Sequence, residues 1–153
     1  MPRITFVATT RLPASAEAVF DWHEAPGAFE RLTPPWERVR VVRHEGGIRD
    51  GARVSLRVGP GPFALRWDLV HRDYDRGRSF TDLQVAGPFR YWKHVHRMIP
   101  QGPQASGQAA SFSARTLGGG QGATSWLMAS RYQERSPATR AACLPCCGQY
   151  RSR

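Results

Sequence analysis

The sequence predicts an α+β fold built on an antiparallel sheet, and three observations carry that prediction. A β-branched, alternating segment opens the chain, a short helical pair follows it, and from Val39 to Met98 apolar residues recur at every second position between glycine- and proline-rich turns. The 153 residues suit one domain able to bury its own core without disulfide or metal support.

From Arg3 to Leu12, Ile4, Phe6 and Ala8 alternate with Thr5, Val7 and Thr9, the pattern of a first strand. Ser15 then offers a hydroxyl cap, Glu17 sits in the first turn where the helix dipole favours an anion, and Val19, Phe20 and His23 follow at helical spacing. Pro26-Gly27 ends this helix. Ala28 to Leu32 adds one more turn before Thr33-Pro34-Pro35, where each proline lacks an amide donor and restricts its predecessor.

The meander comes next. Val39 and Val41, then Ala52, Val54, Leu56 and Val58, then Phe63, Leu65, Trp67 and Leu69 alternate with polar neighbours. Gly46-Gly47, Asp50-Gly51, Gly59-Pro60-Gly61-Pro62, Asp75-Arg76-Gly77 and Ala86-Gly87-Pro88 fall between the runs, where turns need a positive or preset φ. Ser79 to Val85 and Arg90 to Met98 form a final hairpin. Beyond Pro100 lie seven of the fifteen glycines and a single acidic residue, Glu134. This divides the chain into a core at 1–100 and a low-periodicity tail at 101–153. In the tail, Ala109–Leu117 is a candidate strand and Thr124–Gln133 a candidate short helix, and loose packing is expected because Gly118-Gly119-Gly120 and Pro137 interrupt anything longer.

A formal charge of +10 invites a nucleic-acid reading, but Lys93 is the one lysine among 22 basic residues and the arginines are scattered rather than gathered on a helix. Such arginine dominance fits a GC-rich coding sequence, and no nucleic-acid partner is expected. All three cysteines fall in Cys143-Leu144-Pro145-Cys146-Cys147, with neither the second ligand pair of a zinc site nor the setting of a redox motif. With no run of about 18 apolar residues and no signal peptide, the chain is expected to be cytoplasmic, without a transmembrane segment.

The run Gly87-Pro88-Phe89-Arg90-Tyr91-Trp92-Lys93-His94-Val95-His96 sets a tight turn against a strand that carries Trp92, His94 and His96 on one face. Phe80, Asp82 and Gln84 share a face of the preceding strand. A four-residue loop at Ala86–Phe89 places Leu83 opposite Trp92, and one more loop residue places Asp82 there, so register decides whether the two faces coincide. If Asp82 meets His94, the carboxylate fixes the imidazole tautomer and raises its basicity, which makes this pair the catalytic candidate. The residues favour a structural hydrogen bond, since nothing supplies a nucleophile or oxyanion site beside it. His94-x-His96 also has chelating geometry. A third ligand would have to come from His23, His44, His71 or Asp82, and no spacing selects among them, so neither a metal nor any cofactor is expected.

The order of elements, with Val19-Phe20-Asp21-Trp22-His23, Phe29-Glu30-Arg31-Leu32-Thr33-Pro34-Pro35-Trp36-Glu37, Asp50-Gly51, Arg66-Trp67, Phe80-Thr81-Asp82-Leu83-Gln84 and the Gly87-to-His96 run, resembles the START-like (SRPBCC) helix-grip superfamily. Within it, the chain is similar to domains related to polyketide cyclase/dehydrase and coenzyme Q-binding START proteins. The resemblance covers residues 3 to 98. It implies an antiparallel sheet curved around helices, with an interior cavity for a hydrophobic small molecule such as a lipid, quinone or polyketide. Its candidate lining is Trp22, Phe29, Leu32, Trp36, Trp67, Phe80, Gln84, Trp92 and His94. Binding without catalysis is the favoured role, and a cyclase or dehydratase using His94 with Asp82 is the alternative. Some relatives carry an epimerase-like NAD-binding domain after this one, which is not expected here. The family closes with a further strand and a long helix. Their pattern is not evident in the tail, which leaves a shifted reading frame after about Met98 and a divergent ending both open.

Overall fold

A computed structural model describes residues 4–32, 38–103 and 105–116. Its strands are β1 (Ile4–Leu12), β2 (Val39–Glu45), β3 (Arg53–Val58), β4 (Leu65–Asp75), β5 (Ser79–Ala86), β6 (Phe89–Pro100) and β7 (Ser106–Thr116). Two helices, α1 (Ala16–Glu24) and α2 (Ala28–Leu32), lie between β1 and β2. The strands form one antiparallel sheet in the order β1-β7-β6-β5-β4-β3-β2. This is the helix-grip arrangement, in which the helical pair joins the two edge strands and α1 packs against β6 and β7.

Local chemistry explains the elements. The Ser15 hydroxyl accepts the Ala18 amide at 3.2 Å, so it caps α1 as its position suggested. Gly46, at φ +81° in the turn between β2 and β3, has no room for a side chain because a Cβ would come within 3.0 Å of that of Ala52. Asp73 holds a positive φ of 55° where β4 slips register against β5, a conformation that aspartate tolerates better than most residues.

The core has two apolar clusters. One joins Val54, Leu56, Val58, Trp67, Leu69, Phe89, Trp92 and Ala114, with Phe29, Val39 and Val41 against it. The other surrounds α1 with Leu12, Ala14, Ala16, Val19, Phe20, Ile48, Phe80 and Met98. Burial of these side chains is the main force closing the sheet onto α1.

The division expected at residue 100 is corrected by β7, which lies beyond that boundary and inside the sheet, paired along its length with β6 and β1. Ser106, Gln108 and Ala114 are buried there, so β7 turns small and polar residues inward and lacks a hydrophobic alternation. The pattern is therefore weak in sequence although the strand is central. β7 also overturns the loose packing expected of 101–153 for residues 106–116 and contains the candidate strand at Ala109–Leu117 as far as Thr116, whereas the tail from 117, the candidate helix at Thr124–Gln133, the family's terminal helix and the Cys143–Cys147 cluster lie outside the described residues. Among those described, no helix is long and apolar enough to cross a membrane.

Candidate functional site

Sheet register creates the site. His71 on β4 stands opposite Asp82 on β5, and Asp82 stands opposite His94 on β6, so the three form one row across neighbouring strands. His96, two residues along β6, is opposite Phe80. Neither expected hairpin register is the one adopted, because Leu83 faces Lys93 instead of Trp92 and Asp82 faces His94 directly. Gln84 accounts for the turn: its amide donates to the Phe89 carbonyl at 2.6 Å and its oxygen accepts from the Phe89 amide at 3.4 Å. A side chain thus substitutes for ladder hydrogen bonds at the hairpin mouth.

Three imidazoles converge on one carboxylate. His71 Nε2 is 2.9 Å from Asp82 Oδ1, an ion-pair distance outside linear hydrogen-bond alignment. His96 Nε2 and His94 Nδ1 approach Oδ2 at 3.2 and 3.5 Å. None of these side chains is more than 13% exposed, so the charges meet in a medium far less polarisable than water. A fourth ring, His23, lies beside them with its centroid 5.8 Å from that of His96. Its Nδ1 donates to the Val19 carbonyl at 2.7 Å, which leaves Nε2 to accept from the Gln108 amide at 3.2 Å.

The electrostatics follow from burial and from that convergence. Burial opposes ionisation of Asp82, but the imidazoles of His71, His94 and His96 beside it outweigh that and hold its carboxyl well below the usual range. Burial likewise disfavours a charged His71, yet Asp82 prevails and raises it above the ordinary imidazole value. For His94 burial prevails and lowers the value. His96 falls to about 4 through burial and then the proximity of His94, and His23 falls to about 4 through burial and then His96. Asp82 is thereby biased toward its carboxylate, His71 toward its cation, and His23, His94 and His96 toward their neutral forms.

Two apolar regions bracket this polar row. On one side Phe80 stacks on His96, with centroids 4.3 Å apart and planes within 12°, and meets Phe20 edge-on at 6.2 Å. On the other, His94 touches the Trp92 ring at 5.7 Å, and Trp92 meets Trp67 edge-to-face at 4.9 Å. The Trp67 indole N–H is buried without a hydrogen-bond acceptor among the described residues.

The structure therefore separates the residues singled out as lining. Trp67, Trp92 and His94 are contiguous, and half-buried Phe29 packs against the same cluster. Phe80 belongs to the α1 cluster, and Gln84 clamps the hairpin. Trp22 is buried at the end of α1 under the Arg31 guanidinium, and Leu32 closes α2 half-buried. Trp36 lies outside the described residues. Sequence reasoning named His71 only among four possible ligands and gave it no role beside Asp82. The period-two step Trp67, Leu69, His71 puts it on the right face, but register alone makes it a neighbour of Asp82.

A family model described as polyketide cyclase/dehydrase and lipid transport matches residues 12–147. No curated protein matches the chain. Among solved structures, norcoclaurine synthase from Thalictrum flavum, in complex with dopamine and hydroxybenzaldehyde, superposes with a TM-score of 0.67 at 13% identity, covering 99% of this chain and 90% of the other. A START superfamily protein from Mycobacterium smegmatis gives 0.68 at 13% identity, covering 93% and 98%. The Zhui aromatase/cyclase from Streptomyces sp. R1128 gives 0.65 at 16%, covering 94% and 93%. At these identities the likeness is one of fold.

Proposed function

The chain belongs to the polyketide cyclase/dehydrase and lipid-transport family, and from that premise we propose that it binds an apolar small molecule against Trp67 and Trp92, with His94 orienting the ligand's polar end. The observation that carries this reading is the edge-to-face indole pair abutting a carboxylate-anchored imidazole, with the buried Trp67 N–H aimed at no acceptor among the described residues. Large aromatic faces supply contact area, and a few fixed polar groups supply orientation. At ~25 cal/mol per Å² of apolar surface removed from water, such contacts give affinity that follows ligand size more than charge. A quinone, fatty acid or aromatic polyketide has the required chemistry.

Titration of intrinsic tryptophan fluorescence with these three ligand classes tests the reading. Trp92→Ala should weaken binding by more than about tenfold, the loss typical of a buried aromatic anchor. Removing the exposed Arg57 should change it little. Equal losses in the two variants, or no saturable binding of any class, would count against the aromatic wall.

The Asp82–His94 contact favours a second reading, that of a cyclase or dehydratase. With Nδ1 directed at Asp82, the basic nitrogen of His94 is Nε2, and a carboxylate-held ring of this kind can accept a proton from an acidic carbon of a polyketide-like substrate. Turnover that His94→Gln abolishes while leaving ligand affinity within about threefold would establish catalysis. Binding without turnover would leave the carrier role.

A further inference from the structure

The geometry points to a metal site in this chain: Asp82, His94 and His96 form a three-ligand set for a divalent first-row transition ion, Zn²⁺ in the first instance, with His71 positioning the carboxylate. This departs from the sequence-based expectation of no metal, because the missing third ligand is supplied by strand register and by no motif.

Donor spacing carries the argument. A tetrahedral Zn²⁺ with ligands at about 2.0–2.1 Å separates neighbouring donor atoms by about 3.4 Å. Asp82 Oδ2 lies 3.2 Å from His96 Nε2 and 3.5 Å from His94 Nδ1, and one donor atom from each of the three residues falls within 4.8 Å of the others. Little movement is needed to place an ion among them. The donor set of two imidazoles and one carboxylate suits Zn²⁺, Fe²⁺ or Co²⁺, and it is poor for Ca²⁺ or Mg²⁺, which favour oxygen. Three protein ligands leave a position for water or a ligand oxygen.

The surroundings have the form of a prepared site. Asp82 Oδ1, the oxygen turned away from His94 and His96, is met by His71 Nε2 at 2.9 Å, so this imidazole can hold the carboxylate while Oδ2 coordinates. Phe80 stacks on His96 and Trp92 packs on His94, which fixes both rings and screens them from water. His96 Nδ1 is buried without a hydrogen-bond partner among the described residues. On binding, each neutral ring coordinates through an unprotonated nitrogen, Nδ1 of His94 and Nε2 of His96, and its single proton sits on the other nitrogen.

The proposal stands apart from the apolar-ligand reading, since the probe is the metal alone. The full chain, with Cys143, Cys146 and Cys147 replaced by serine to remove competing thiolates, is stripped with chelator and titrated with Co²⁺. One equivalent should bind with the intense visible absorption of a low-symmetry four- or five-coordinate ion, and Zn²⁺ should displace it. Asp82→Asn and His96→Gln should abolish the band, His71→Gln should weaken binding by about tenfold with unchanged stoichiometry, and His44→Gln should leave it unaltered. Imidazole ¹⁵N spectra with the same unsubstituted ligands give a readout independent of whether those variants fold: Zn²⁺ should shift His94 Nδ1 and His96 Nε2 and leave His44 in place. Absence of saturable binding, a weak octahedral spectrum that survives Asp82→Asn, or unshifted His94 and His96 nitrogens would each overturn the assignment.

Discussion

Where β4 and β6 carry Trp67 and Trp92 the sheet presents carbon, and a few residues further along the same strands it presents His71, His94 and His96 to a single carboxylate. Both regions are buried, and both depend on the same register. They differ in what they require of their neighbours. The apolar clusters need filled volume, which several side-chain combinations can supply, whereas Asp82 needs donors at specific places because an uncompensated charge in the interior is costly. One face thus combines an apolar surface with a fixed polar point.

The largest expected effect tests the apolar side. Phe20 is fully buried against Phe80 and Tyr74, so Phe20→Ala should cost about 3–5 kcal/mol in chemical denaturation, through lost transfer energy and the cavity left behind. Phe20→Leu should cost less than half as much, since most of the volume is restored. The polar row should behave in the opposite way. Asp82→Asn keeps the shape, removes the charge and turns one acceptor oxygen into a donor, and it should cost about 3 kcal/mol, more than a volume-conserving change in either apolar cluster. If Asp82→Asn proved neutral in the same denaturation experiment, the contrast between the two regions would collapse.

Sequence reasoning read the faces and not their alignment, and the physical reason lies in the hairpin between β5 and β6. Period two places Phe80, Asp82 and Gln84 together, and Trp92, His94 and His96 together, because each strand alternates on its own. Which residue faces which depends on the turn, and here the two hydrogen bonds exchanged between the Gln84 side chain and the Phe89 backbone set it, a tertiary choice that loop length does not reveal. Strand β7 was only partly visible for a different reason. Its buried positions include Ser106, Gln108 and Ala114, small or polar residues that fit beside large neighbours such as Trp92 and Met98 without a hydrophobic pattern of their own. The helical cap at Ser15, by contrast, is a local interaction three residues long and was legible.

The hairpin also offers a smaller test, at the boundary between the two regions. A Cβ on Gly87 would stand 2.5 Å from Cδ1 of Trp67 and 2.6 Å from Oε1 of Gln84, so Gly87→Ala must displace the indole or break the clamp. Overpacking of this kind should cost about 1–3 kcal/mol, with a shift in tryptophan emission as Trp67 moves. A loss of stability with unchanged emission would place the adjustment in Gln84, while wild-type stability would show that the turn is looser than its contacts imply.

The smallest effect is expected where α1 is tied to β4. The Tyr74 hydroxyl donates to Glu24 Oε1 at 2.7 Å, its ring meets Phe20 edge-on at 5.5 Å, and the Arg49 guanidinium lies 5.6 Å from the ring centroid. Tyr74→Phe removes the hydroxyl and keeps both ring contacts, so it should cost about 1 kcal/mol, the net worth of one partly solvated hydrogen bond. Tyr74→Ala also removes the ring that meets Phe20 edge-on, and should cost well over twice as much. Equal losses for the two variants would mean that the hydroxyl holds the helix and the ring contributes little, making this corner polar in its energetics like the Asp82 row. The expected inequality would instead place it with the apolar cluster, whose stability follows the amount of carbon it buries.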